Sequence, residues 1–453
     1  MIPHHVPQFV LPASFDADVL IPDSLRLYRD DARYFASTIL RKTARRQTDH
    51  NGYVFLRAEH LRNVMSFHRY ADVVNTLLDS GTVHRTPYQV GKCPFAYRLD
   101  DRFRDDRHIR WPVQNARLLR RMAKFGAKAR LQAQQRMLPV HDALAKQQRR
   151  LEIDGELARE IIGHLPPESN PFDVQGILVA DIEEQRFRLS VGRYGRVANS
   201  ITNMKREVRC ALRYKGRPLA GVDISCAQPS LLALLMGTIC SQQGGKKLTS
   251  YNACTRIPSL FLPPGLVQAP AVPVPFLPWS DRTDRTEKTE KTAPSFCLCP
   301  SVARFAEVCR AGELFSLLGS RLCASGYPLQ RAEIKKRFLA DVLAKRKASA
   351  SGAEYPSPVE DAFREEFPGV WRFIRAVNQD GWEHWRLIRI LQRLESWLVI
   401  EQVCQRFTTV FPKEFIITLH DAVYVRPKAV ERLVDVFEEV FDELAFHMTL
   451  KRE

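Results

Sequence analysis

The chain of 453 residues carries 68 lysines and arginines against 51 aspartates and glutamates, a formal net charge of +17. That length allows a large core and about two to four domains, and the cationic excess favours a polyanionic partner, because each neutralised phosphate releases counterions. No apolar stretch is long enough to span a bilayer and Met1-Ile2-Pro3-His4-His5 does not resemble a signal peptide, so a cytoplasmic protein with no membrane partner and reduced cysteines is expected.

Residues 1–50 hold a predicted helix over 24–42 with a basic end at Arg41, Lys42, Arg45 and Arg46. Tyr53-Val54-Phe55-Leu56 enters a helix over 57–65, and 68–78 forms a second, amphipathic helix closed by Asp79-Ser80-Gly81. Two β-like pieces follow, 82–85 and 95–99, around Gly91-Lys92. Helix, helix, then a hairpin with a basic tip is the order of a winged helix. On that reading the second helix lies in a groove with Arg69 near its start, and Arg85, Lys92 and Arg98 on the wing meet the nucleic-acid backbone. A protein-docking or purely structural unit has the same element order.

From Arg102 to Arg150 there are fourteen lysines and arginines against three acidic residues, spread along helical patterns such as 114–136. An imbalance that one-sided exceeds ordinary ion pairing and suits a helix that tracks a phosphate backbone. His141-Asp142 lies inside such a pattern with no strands around it, so a His-Asp dipeptide alone carries no information. Residues 151–185, with Pro166-Pro167, connect to Gly195-Arg196 and a predicted basic helix over 201–214.

Leu219 to Ile224 has the pattern of a short strand, followed by a helix whose apolar run is Ser230 to Met236. Pro229 suits the first turn of that helix and Gly237 its end. Asp223 is thus expected at the carboxyl end of a buried strand, where α/β proteins place ligand-handling groups. Residues 241–300 change character: Gly244-Gly245-Lys246-Lys247, many prolines from Pro258 to Pro278, and a Thr-Glu-Lys near-repeat over 283–292 predict a flexible insertion. Cys297 and Cys299 lack a second pair, so no zinc site is expected.

Order returns at Phe305, and in 331–339 Arg331 and Lys335 are four apart on one helix face. A long helix over 385–407 carries Gln392 and Glu395. In Phe415 to Val425 two β-rich runs flank His420-Asp421, which predicts a hairpin with Asp421 near its turn. A helix over 428–446 and a β-like segment over 448–451 follow. Two Asp side chains on neighbouring strands suit two divalent cations about 4 Å apart, the arrangement that activates a 3′-hydroxyl and steadies a leaving pyrophosphate.

From Arg186 onward, with the insertion, the chain resembles the palm of family A DNA polymerases and the related single-subunit phage-type RNA polymerases, whose Asp-x-Ser and His-Asp motifs are matched by Asp223-Ile224-Ser225 and His420-Asp421. The resemblance implies an α+β fold with a right-hand architecture of palm sheet, helical fingers and thumb, here with a winged-helix-like N-terminal domain. With the element order and composition above, the chain is expected to divide into an arm and winged-helix-like domain (1–100), a basic thumb-like region (101–185), the first part of the palm (186–240), the insertion (241–300), a fingers-like region (301–384) and the second part of the palm (385–453). The resemblance also implies template-directed nucleotidyl transfer from nucleoside triphosphates on a DNA or RNA primer-template. Asp223 and Asp421 would hold two Mg2+ ions, Mn2+ being an alternative. Arg331 and Lys335 would bind the triphosphate, His420 the primer end, Arg196 the primer-template minor groove, and Gln392 template or primer.

The chain departs from the family at three places. Leu339 and Leu343 stand where the fingers helix carries an aromatic residue and a Tyr-Gly pair, Gln228 stands where the DNA enzymes use a Glu against the 2′-hydroxyl, and Ala422 follows the second Asp in place of Glu or Ser. Deoxy against ribo preference is left open. A DNA polymerase is favoured over a primase or RNA polymerase on the same palm and over a non-catalytic winged-helix replication protein.

Overall fold

A computed structural model describes residues 7–49, 51–87, 95–192, 194–242, 300–346 and 355–452. The protein is α+β, helix-rich with small antiparallel sheets. It divides into two compact units, residues 1–191 with 197–219 and residues 192–196 with 220–453. The Pro-rich stretch and the Cys297-Leu298-Cys299 spacing lie outside the described residues.

The first unit is built on the helix Arg29–Ala44, which buries Ala32, Phe35, Ala36, Ile39 and Leu40 at helical spacing. The helix starts later than the sequence pattern suggests, because Pro22 opens a 3-10 turn over Asp23–Tyr28. Strand Val54–Phe55, helices Ala58–Val64 and Tyr70–Asp79, and strands Val83–Arg85 and Ala96–Leu99 follow, with Ala96–Leu99 in the middle of an antiparallel sheet. The basic helix Ala116–Gln134 is capped by Asn115, whose side-chain oxygen accepts from the backbone N–H of Arg117 and Leu118. Buried Asp30 fixes this cap by accepting from the N–H of Gln114 and Asn115, both at 2.7 Å.

The basic helix expected over 201–214 is a single turn, Arg206–Arg209, followed by a strand, Leu212–Tyr214. Lys215 and Gly216 both take positive φ and close a two-residue turn onto Arg217–Pro218. Such a turn forces strand pairing on residues whose charges alone resemble a helix. His141-Asp142 is helical, inside Pro139–Gln148.

The second unit holds a four-stranded antiparallel sheet in the order Ile416–Leu419, Ala422–Val425, Ala220–Ile224, Leu450–Arg452. Every residue of the first two strands is buried, so both their faces are covered. Helix Ala227–Gln242 is buried at every residue from Pro229 to Ile239, which suits a helix inside a core. It runs through Gly237 instead of ending there: an interior glycine costs about 1 kcal/mol, and burying Ile239 beyond it offsets that.

Helices Pro300–Arg310 and Pro358–Glu366 share a ring cluster in which Phe363 meets Phe305, Phe338 and Phe367, with centroids 5.3 to 5.9 Å apart, and helix Val430–Leu444 packs against the Asp223 strand. Arg331–Arg337 passes into a π-helical segment, Phe338–Leu343. The long helix expected over 385–407 is observed as Arg386–Ser396, a π-helical Trp397–Cys404 and Gln405–Val410. Among the described residues no helix is long and apolar enough to cross a membrane.

Candidate active site

Asp223 is the fourth residue of its strand and pairs across with Ala422. Ala422 also pairs with Leu419, which leaves His420 and Asp421 as the whole of the hairpin turn. Such a turn requires positive φ at its first residue, and His420 takes 57° without being glycine, at a cost of about 1–3 kcal/mol. The pairing therefore holds Asp421 one residue from the cross-strand partner of Asp223. Both aspartates are half-buried, and His420 is exposed.

A further carboxylate lies within electrostatic reach of Asp421. Glu395 is 3% exposed and accepts from Arg196 Nη2 at 2.7 Å and Nε at 3.2 Å through one oxygen, Oε1. Gln228 donates to it as well. Burial pushes the Glu395 carboxyl up to about 7, and the charge of Asp421 adds to the rise, while Arg196 and Gln228 pull the other way. Arg196, Gln228, Glu395 and Asp421 thus form one electrostatically linked group. The loop that carries Arg196 lies close to the Glu395 helix: a Cβ on Gly195, which has φ +78°, would stand 3.2 Å from Ser396 Cβ.

Arg331 and Lys335 come to the same end of the Asp223 strand. Both are exposed, and their charges act on Cys226, three residues after Asp223, whose thiol burial nonetheless pushes up. Arg331 donates to Ser316 Oγ at 2.7 Å. Gly312, with φ +73°, lies against the Asp-x-Ser segment: a Cβ there would stand 2.9 Å from Ser225 Cβ. Gly312→Ala combines a left-handed backbone with a clash against Ser225, and is expected to cost roughly 2–4 kcal/mol. A lowered thermal unfolding midpoint checks this.

The other candidates are placed elsewhere. Gln392 is half-buried on the Glu395 helix and its carbonyl accepts from Ser396 Oγ at 2.9 Å. Arg69 and Arg85 belong to the first unit: Arg69 is exposed and paired with Asp72 at 2.9 Å, and Arg85 lies 4.5 Å over the Phe95 ring. Lys92 is outside the described residues. Sequence reasoning gave Glu395 no role, although it sits in the apolar stripe Leu387, Leu391, Leu394, Leu398, where a carboxylate signals a buried charge.

Among the described residues no group of three or more His, Cys, Asp or Glu is arranged to hold a metal ion. Two half-buried carboxylates offer hard oxygen donors, which fits Mg2+ bound by one or two carboxylates with substrate phosphates and water.

No family model matches this chain, and no curated protein matches it. The solved structures similar to it include the POL domain of Pol1 from M. smegmatis in complex with DNA primer-template and dNTP, at 13% identity and a TM-score of 0.31. The match covers 65% of this chain and 52% of that one, so the chain spans about half the length of the structure it matches.

Proposed function

We propose that the protein is a template-directed nucleotidyltransferase, a DNA polymerase in preference to an RNA polymerase or primase. The observation that carries this reading is the pairing of the Asp223 strand with the hairpin whose turn is His420-Asp421. Asp223 and Asp421 would hold two Mg2+ ions, which when bound supply charge neutralisation for the attacking hydroxyl and the leaving pyrophosphate. Arg331 and Lys335 are exposed cations near the Asp223 strand end, suited to the triphosphate. Arg196, Gln228 and His420 would meet the primer-template and the incoming nucleotide, with Gln392 on the adjoining helix.

The first unit suits a winged-helix-like contact with nucleic acid through Arg69, Arg85 and Lys92. Its strand, helix, helix, strand, strand order, with the last strand central, supports that reading, and the same feature favours the second reading, a non-catalytic DNA-binding replication protein. Extension of a labelled primer on DNA and RNA templates, with dNTPs and then NTPs, under Mg2+ and then Mn2+, tests both. Templated extension is expected, stronger with dNTPs. No extension under any of these conditions leaves the DNA-binding reading in its place.

A further inference from the structure

We propose that Trp382 and Trp385, with the helix face continuing through Arg389 to Gln392, form a stacking platform for single-stranded nucleic acid that leads toward the carboxylate end of the sheet. The direction of the strand rests on the nucleotidyl-transfer reading; the binding does not.

Trp382 is 71% exposed and Trp385 46%. Leaving so much aromatic surface in water forgoes burial worth a few kcal/mol, and a fixed framework holds the segment that presents it. Buried Asn378 donates to the carbonyl of Leu343 at 2.8 Å and accepts from the N–H of Leu387 at 3.0 Å. Gln379 and Gly381 take positive φ to turn the chain around it, and the N–H groups of Trp382 and Glu383 close back onto Gln379 and Asn378. The Trp385 ring lies 5.1 Å from that of His384.

Arginines lie beside His384, the neighbour of the Trp385 ring. His384 is held below the usual histidine range by burial and then by the charges of Arg346 and Arg389. Arg389 also stands 5.9 Å over the ring of Tyr194, two residues before Arg196. Glu383 is the one acidic side chain described among them, and it is paired with Arg386 at 3.3 Å.

Trp385, Arg389 and Gln392 recur at helical spacing and share a face, which ends where Ser396 is buried beside Gly195. From Trp385 to Gln392 the helix rises roughly 10 Å, the length of about three stacked nucleotides. Exposed aromatic rings interleaved with arginines suit unpaired bases, whose faces are free to stack; a duplex offers only its backbone and edges.

The test is binding of a short fluorescein-labelled oligothymidylate, and of a blunt duplex, to the full chain without divalent cation or nucleotide. Trp382→Ala and Trp385→Ala are each expected to weaken oligothymidylate binding roughly tenfold and to leave duplex binding within about twofold, while Trp385→Phe keeps most of the affinity. Oligothymidylate should also quench the tryptophan fluorescence of the unaltered protein, a readout that needs no variant to fold. Absent quenching, unchanged binding by the folded Ala variants, or equal loss for duplex overturns the platform. Platform binding without primer extension overturns the nucleotidyl-transfer reading alone, and extension undiminished in variants that have lost oligothymidylate binding overturns only the direction of the strand toward the carboxylates.

Discussion

Asp223→Ala and Asp421→Ala should each lower templated primer extension by about a thousandfold or more, with the thermal midpoint near that of the unaltered protein. Each removes a hard oxygen donor from a two-carboxylate set, and losing about 4 kcal/mol of charge stabilisation in the transition state corresponds to ~10³ in rate. Neither side chain is in the core: both are half-buried at the end of a sheet whose neighbouring strands are buried throughout. Because the two act as a unit, the double variant should be scarcely worse than either single one. Asp421→Asn carries a second consequence. The charge of Asp421 helps raise Glu395, so its removal should lower the Glu395 titration, readable by carboxylate NMR. Extension that persists within about tenfold in either variant would remove the two aspartates from the chemistry.

The hairpin was legible because Ile416, Ile417, Val423 and Val425 are β-branched on both sides of a two-residue turn, and periodicity together with turn length fixes such a structure locally. The Asp223 strand was legible for the same reason. Their adjacency is a long-range pairing, which the local pattern does not encode. The failures have local causes too. The stretch 201–214 looks helical by charge, but the positive-φ Lys215-Gly216 turn dictates strands. Gly237 looks like a stop, yet a helix buried on all sides gains enough from packing to pass it. Glu395 escaped because its meaning depends on Arg196, nearly two hundred positions earlier in sequence. The tryptophans escaped because a single aromatic residue gives no hint of its exposure; only the Asn378 framework, formed by tertiary contacts, turns them outward.

Glu395→Gln should change the pH dependence of stability between about pH 5 and 8. In the folded protein the carboxyl is raised from its ordinary 4.5 to about 7, so the folded state prefers the protonated form. Below about pH 4.5 both folded and unfolded chains carry the proton and the full stability is present; as pH rises through 7 the unfolded chain has long ionised and the folded one is forced to follow. At about 1.4 kcal/mol for each tenfold in proton affinity, the loss approaches about 3 kcal/mol by pH 8. Glutamine keeps the shape without the ionisation. The variant should therefore match the unaltered protein near pH 4 and exceed it in thermal midpoint at pH 8, with the difference opening between about pH 5 and 7. The same substitution removes the anionic partner of Arg196 and returns that guanidinium's charge to the site. Tighter primer-template binding with a steeper salt dependence should follow, since one more cation is available to displace counterions from phosphate. A variant that is less stable at every pH would mean that the Arg196 ion pair outweighs the burial of the charge, and Glu395 would then be a structural anchor for the Arg196 loop.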